Sequence, residues 1–390
     1  MKNMEHNGLP RGQRTGMITA LALSAAILAL TTGFLVTEKK GFSESENRYL
    51  ASFPQFSWES VKSGDYTEAL SEYASDHFPF RELFMGLKTR AELALGRREI
   101  NGILIGDSDY LIEPYEKPEN TEKIAGIFRN FSEKIDGMRA EGRELNLNLM
   151  LIPTAVTVLR DKLPQGAPTE NQMETAETIL RASGMPTIDS LEALKKQSET
   201  GQVYYRTDHH WTTYGAYAGY VEYCRALGFE PVPLEELKSS VVTDSFAGSI
   251  YAKVHDSRQP LDSITIYENP ADRLTVTYED TGETSDSLYN LDYLEKRDKY
   301  SLFLNNLHPL VTIANETAES QRELVLIKDS YANSMVPFLT RHYRRIHVLD
   351  TRYYKMGPAA YIREHPEVTD VLLLYNMNTL DTDLGVRGIY

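Results

Sequence analysis

At 390 residues the chain is long enough for one large core or two domains, and its 41% hydrophobic and 25% charged residues are ordinary for a globular protein. A formal charge of −15 argues against nucleic acid as a partner and against docking on anionic lipid headgroups. The single cysteine, Cys224, cannot form an internal disulfide, so cysteine usage excludes no compartment.

Met17 to Val36 is an uncharged apolar run of twenty residues, the length needed to cross a bilayer core. Lys2, Arg11 and Arg14 precede it; Lys39 and Lys40 follow. The positive-inside rule then makes residues 1–16 a cytoplasmic tail and 17–36 a transmembrane anchor, with the rest of the chain outside the cytoplasm. A cleaved signal peptide is the alternative reading. The length of the run and the lack of an A-x-A pattern in GFLVTEKK favour an uncleaved anchor.

Residues 37–95 are polar and studded with aromatics, with short helical patterns, and read as a stalk or helical cap. DHFPFR, Asp76 to Arg81, leads into a helix over Glu82–Leu95, and His77 beside Phe78, Pro79 and Phe80 reads as a packed or capping histidine. Asn101 to Glu113 alternates as a β-hairpin. Its Gly106-Asp107-Ser108 imitates a serine-hydrolase signature, but no helix follows to supply amide donors, so Ser108 reads as a turn residue. A helical pattern over Asn120–Glu141 precedes a strand at Leu145–Pro153, a helix at Asn171–Ala182 and a short strand at Pro186–Asp189. Such alternation with short connections predicts a mostly parallel sheet covered by helices.

Tyr204 to Gly215, YYRTDHHWTTYG, concentrates a carboxylate, two imidazoles, an indole and three phenols. Apolar spacing from Ala216 to Leu227 predicts a helix that Thr212 or Thr213 caps and Gly228 stops. Asp208 to Trp211 therefore lie on the loop leading into it. An Asp-x-His spacing on a loop lets Asp208 bond one ring nitrogen of His210 and leaves the other to face a reactant. Packing around the indole and an Asp/His metal site are the competing readings, the second weakened because no further HxH or HxxxH partner is present.

Residues 262–298 alternate as strands with acidic turns and predict an antiparallel, β-rich insertion at a sheet edge; Lys299–Ile313 returns toward the core. Leu324 to Ile327 has the composition of a buried parallel strand, and a helical pattern covers Tyr331–Tyr343. Ser330 thus falls where a strand ends and a helix begins, beside unpaired amides that could hold an oxyanion. It is either a nucleophile served by His210 or a helix cap; Ser334 is the weaker nucleophile candidate, being inside the helix. Strands at Ile346–Asp350 and Val371–Tyr375 end on the same edge, followed by Arg352 and Tyr353 and by Asn376 and Asn378.

TDHHWT and DSYANSMVPFL, together with SESENRYLASFP, DHFPFR, KYSLFL and LDTRYY, resemble the DHHW family of bacterial surface proteins. That family is similar to the SGNH-hydrolase-like proteins of alginate O-acetylation. The resemblance implies an α/β, permuted SGNH-like three-layer fold over residues 96–390, because Asp-x-His precedes the serine here. By motif it makes Asp208 the orienter, His210 the base and Ser330 the nucleophile. Lys328 stands where the superfamily has the GDS glycine, Arg352 occupies the place after the next strand, and the superfamily's asparagine falls on Asn376 or Asn378.

The function expected from this is O-acetyl transfer to an extracytoplasmic polysaccharide through an acetyl-serine, with no cofactor and no metal. A multipass membrane acyltransferase would supply the acetyl group. Trp211 and the tyrosines suit stacking on sugar rings and would equally pack a core, and Arg352, Tyr353 and Asn376 complete the expected substrate contacts. An acetylesterase with the same triad and a non-catalytic polysaccharide-binding or export scaffold are the alternatives.

Overall fold

The computed structural model describes residues 11–43, 48–380 and 384–390. The chain divides into two compact units, Met1–Lys88 and Thr89–Tyr390. The longer helices are numbered in chain order.

In the first unit, helix α1 (Arg11–Val36) contains the apolar run, with Gln13–Val36 long and apolar enough to cross a membrane and not buried against the rest of the chain. Helix α2 (Asp65–Asp76) ends in the DHFPFR turn, and α3 (Arg81–Ala94) starts from it. Asp76 is buried and accepts hydrogen bonds from Arg48 Nη1 at 2.9 Å and the Ala51 amide at 2.8 Å. The Arg48 hydrogen bond is the largest cause that holds its carboxyl below the usual range, and these contacts pin residues 48–51 against the end of α2. His77 caps that helix, its ring nitrogens on Tyr73 O (3.0 Å) and Lys40 O (3.2 Å) and its ring over Tyr73. It is packed, as its neighbours suggest.

The second unit is built on a seven-stranded sheet. Its strands in chain order are β1 (Asn146–Ile152), β2 (Leu274–Tyr278), β3 (Glu283–Ser285), β4 (Leu310–Asn315), β5 (Glu323–Lys328), β6 (Arg345–Leu349) and β7 (Asp370–Asn376). The spatial order is β3-β2-β4-β6-β5-β7-β1. The β6-β5-β7-β1 block is parallel and the β3-β2-β4-β6 pairings are antiparallel, so the sheet is mixed with most strands running one way. Every residue of β5 and β7 is buried, which explains the apolar runs Leu324–Ile327 and Val371–Tyr375 at their centres: both faces are covered. Helix α4 (Thr121–Ala140) packs on α5 (Gln172–Ser183), and α6 (Leu191–Ser198) on α7 (Thr213–Leu227).

The sheet departs from the sequence reading in three places. Within residues 262–298, β2 and β3 are antiparallel strands at the edge of the central sheet, joined to it through β4, but Asp262–Glu268 pairs instead with Lys238–Phe246 as a separate ribbon. The strand expected at Pro186–Asp189 is reduced to a single bridge between Thr187 and Leu149. The helix expected over Tyr331–Tyr343 is broken into a 3₁₀ turn (Ser330–Ser334), one α-turn (Val336–Leu339) and another 3₁₀ turn (Thr340–His342). Pro337 has no amide to donate back to Asn333, so a continuous α-helix cannot pass through this point. Ser108 sits exposed in a turn at φ 58°, its carbonyl accepting from Arg206, in keeping with a turn role.

Helix α7 begins and ends where the sequence places it. Thr212 Oγ1 accepts from the Gly215 amide at 3.0 Å, and Gly228 adopts φ 71°. Two of its glycines are demanded by packing: a Cβ on Gly215 would sit 2.2 Å from Val203 O, and one on Gly219 would press the Trp211 ring at 3.0 Å. Glycine to alanine in a helix ordinarily stabilises by about 1 kcal/mol. At Gly215 the clash should reverse that sign, so Gly215→Ala is expected to destabilise by about 1–3 kcal/mol in chemical denaturation.

Candidate active site

The site forms where two segments 120 residues apart in sequence meet. Val203 to Thr212 is a tight hairpin: Tyr204 bridges Trp211, the Tyr205 amide donates to His210 O, and the Thr212 amide to Val203 O. Its loop is tied down by Asp262, a fully buried carboxylate. Asp262 accepts from the amides of Arg206 (3.0 Å) and Thr207 (2.8 Å), from Thr207 Oγ1 (2.6 Å) and from Gln202 Nε2 (2.7 Å). Satisfying several donors at once makes the loop rigid, since each orphaned buried donor would cost about 1–3 kcal/mol.

The second segment is the end of β5. Asp329 caps the 3₁₀ turn with Oδ1 on the Tyr331 amide (2.9 Å), while its Oδ2 accepts from the Asn376 amide (2.7 Å) and side chain (2.8 Å). Ser330 is left at the tip, half-buried. Trp211 Nε1 donates to Tyr331 O at 2.8 Å and the Tyr331 hydroxyl donates to His209 O, so the hairpin and the turn hold each other.

His210 Nε2 lies 2.8 Å from Ser330 Oγ, and His210 Nδ1 lies 2.6 Å from Asp208 Oδ1. Asp208 also accepts from the His210 amide (3.0 Å) and, through Oδ2, from the Ser249 amide (2.7 Å). The Ser249 segment can approach this closely because of Gly248, where a Cβ would fall 2.2 Å from that of Asp208. The Tyr300 ring stacks on His210 at 3.7 Å and 10°, and its hydroxyl donates to Ser330 O at 3.1 Å. His209 points to Ser249, with Nδ1 2.7 Å from Ser249 Oγ.

The electrostatics follow from burial. Burial alone would raise the pKa of Asp208, but the charges of His209 and His210 and its hydrogen bonds outweigh this and hold the carboxyl well below the usual range. Burial pushes His210 down to about 4, helped by His209 and Arg352 and opposed by Asp208. The imidazole is therefore neutral at ordinary pH, able to take a proton from the serine hydroxyl. Near it, buried Asp350 carries two cations: Lys328 Nζ at 3.3 Å and Arg352, whose Nε and Nη2 lie at 2.9 and 2.5 Å. Burial raises and the two cations lower the Asp350 pKa, with the cations prevailing; burial lowers that of Lys328.

Two expected substrate contacts are corrected. Trp211 is fully buried and packs on α7, so its indole has no face for a sugar. Asn376 is buried, with its amide nitrogen engaged by Asp329 and Thr379, and acts in holding Asp329 rather than in donating to a ligand. Asn378 Oδ1 accepts from Thr154 and Gln172. Arg352 lies near enough to His210 for its charge to act on the ring, and the neighbouring Tyr353 is 46% exposed with Arg352 over its ring. Ser334 is fully buried and donates to Tyr331 O. A cleft adjoining Asp208 and His209 has an apolar wall of Ile112, Ala155, Val156 and Ile250.

Asp208, His209 and His210 also have ligand atoms within 4.8 Å of one another. An ion bound there through His210 would have to displace one of its hydrogen bonds, to Asp208 or to Ser330. No role for Tyr300, Asp262, Asp329 or the Gly248–Ser249 strap was legible from spacing, although Tyr300 and Asp329 fall in the KYSLFL and DSYANSMVPFL motifs and Gly248 in a glycine-serine loop.

The arrangement defines an α/β protein with a serine at the end of a parallel strand, a neutral imidazole on its hydroxyl and a carboxylate behind the imidazole. The chain belongs to the DHHW protein family, which matches residues 104–349. A DHHW family protein from Eubacterium siraeum superposes with a TM-score of 0.64 at 24% identity, over 75% of this chain and 96% of that one. PatB1 of Bacillus cereus, solved with a sulfonyl adduct, gives 0.60 at 21% identity over 74% and 98%. These likenesses support the fold. In sequence the chain is distantly related to the probable alginate O-acetylase AlgJ of Azotobacter vinelandii, 24% identical over 210 residues. That match covers 52% of this chain and 50% of AlgJ, so the chain spans about half the length of the curated relatives it matches.

Titration of His210 by NMR should give a midpoint near 4 rather than near the usual 6.5. Arg352→Gln removes a repelling cation and should move it upward. Because the folded pKa is depressed, the stability linked to this ring is complete above about 6.5 and is lost as pH falls toward 4, where the unfolded chain binds the extra proton.

Proposed function

We propose that the protein is a membrane-anchored, extracytoplasmic O-acetyltransferase of a surface or secreted polysaccharide, working on a permuted SGNH-like fold. The observation that carries this reading is the continuous chain Asp208–His210–Ser330, with contacts of 2.6 and 2.8 Å. The relationship to an alginate O-acetylase supports the choice of acyl group and of a polysaccharide acceptor.

Ser330 Oγ attacks the carbonyl carbon of an acetyl donor as its proton passes to His210 Nε2. Asp208 holds the ring in the tautomer whose Nδ1–H points at the carboxylate and stabilises the imidazolium that forms. The proton then leaves with the donor's departing group, and acetyl-serine remains. A sugar hydroxyl repeats the attack, giving its proton to His210, and Ser330 recovers it as the ester passes to the sugar. The oxyanion has to find donors other than those sequence reasoning favoured, because Asp329 occupies the Tyr331 amide and both nitrogens of Asn376. The Ser330 amide, which opens the 3₁₀ turn ahead of the first intrahelical bond, has the position for that role. Arg352 and the exposed Tyr353 beside it are the acceptor contacts in this reading. The acetyl group reaches Ser330 from a multipass membrane acyltransferase, and no cofactor takes part.

An activated acetyl ester should release its leaving group in a burst, then turn over slowly. Ser330→Ala and His210→Ala should each lower turnover by on the order of 10³-fold or more, with the double variant scarcely worse, because the residues act as a unit. A soluble oligosaccharide should accelerate turnover and become acetylated. Free acetate regardless of acceptor would make the protein an esterase, and unchanged surface-polymer acetylation in Ser330→Ala would leave a scaffold.

The anchor reading rests on the exposed, apolar α1 and the basic residues before it. A reporter fused after Tyr390 should be active only outside the cytoplasm, in cells whose membrane fraction retains the full-length chain.

A further inference from the structure

The first unit displays a row of apolar side chains that its own fold leaves uncovered. Leu83, Phe84 and Leu87 share one face of α3, with Phe80 immediately before its first residue, and the four are 59%, 45%, 50% and 70% exposed. An amphipathic helix ordinarily turns such a face to a core. Here the row starts at the Phe78-Pro79-Phe80 turn, where Phe80 is held at φ 58°, a backbone region that bulky residues rarely enter. The strained position puts a large aromatic ring into solvent.

What covers the row is indicated by the turn's position against α1. Pro79 packs on Gly33, whose missing Cβ would lie 3.3 Å from the proline ring. Phe34 of the same helical turn meets Tyr73 edge-on at 6.2 Å. Gly33 and Phe34 belong to the last turn of the apolar run, which ends at Val36. Lys39, the first cation after the apolar run, sets its Nζ 3.7 Å above the Phe34 ring, which places a charged group at this level of α1. Phe78 and Phe80 therefore stand at the depth of the final turn of α1, within the boundary zone where aromatic residues concentrate. Other exposed aromatics of this unit, Phe53, Phe56 and Trp58 among them, add to the same composition.

We infer that the FPF turn and the apolar face of residues 80–87 lie in the plane of the outer leaflet, inserted at the headgroup–acyl boundary beside α1. The occupant is lipid, engaged through apolar area rather than charge, in keeping with the acidic chain as a whole. The inference rests on α1 being a retained membrane anchor.

The test uses the full-length chain in phosphatidylcholine vesicles. Trp58→Phe leaves only the buried Trp211 as background, and Phe84→Trp introduces a reporter in the row. The reporter should lose most of its emission when the acyl chains are brominated near the headgroup, and iodide in the water should not reach it. Retention of the protein on alkaline carbonate extraction tests the anchor separately. Retained protein whose reporter responds to iodide and not to bromolipid would overturn the lipid contact alone. A reporter shielded from both would overturn it in favour of a protein covering the row, a second copy or a membrane partner. Release by carbonate would overturn the anchor, and this inference with it.

Discussion

The carboxylate of Asp329 fixes the geometry on which the site depends. One oxygen takes the Tyr331 amide in the turn after β5; the other takes both the backbone and side-chain nitrogens of Asn376 at the end of β7. Two adjacent parallel strands are thereby locked at their ends, with Ser330 projecting between them. A buried carboxylate is tolerated here because its oxygens are supplied with hydrogen bonds that replace water. The same device recurs at Asp262, which binds the hairpin carrying Asp208 and His210, and at Asp76, which binds Arg48 and the Ala51 amide in the first unit. Much of the acidity of the chain is surface charge, but these particular carboxylates are structural.

Aromatic packing sets what the carboxylates cannot. The His210 ring is confined by Tyr300 on one face, with His209 and Tyr331 also against it, so that its rotation is restricted. The indole of Trp211 fills the space left by Gly215 and Gly219 and donates to the carbonyl of Tyr331. The DHHW motif thus divides by contact: His210 faces Ser330 with Asp208 behind it, His209 faces Ser249, and Trp211 anchors the loop in the core. Lys328 and Arg352 share the one carboxylate of Asp350, and the Arg352 charge adds to burial and to His209 in favouring the neutral form of His210, against the pull of Asp208.

The sequence by itself determined the apolar helix, the cap and stop of α7, the buried strands β1, β5, β6 and β7, and the candidates Asp208, His210 and Ser330. Each is legible because it is a local property: a run of apolar residues, a threonine cap, a glycine stop, an Asp-x-His spacing, a polar residue after an apolar strand. The break in the helix after Ser330 was also local, written in Pro337, yet the periodicity of the surrounding apolar residues masked it.

Only the tertiary structure decided which of the motif's polar groups have a free face. Whether Trp211 could meet a sugar, or Asn376 an oxyanion, depends on neighbours far away in the chain, Tyr331 and Asp329, and no spacing records them. Tyr300 and Asp262 belong to the site for the same reason, lying 90 and 52 residues beyond His210. The sequence sets what each segment can form, because backbone bonding and apolar periodicity act over a few residues. Burial and hydrogen-bond partnership arise from segments meeting in space, and they determine what each side chain is left free to do.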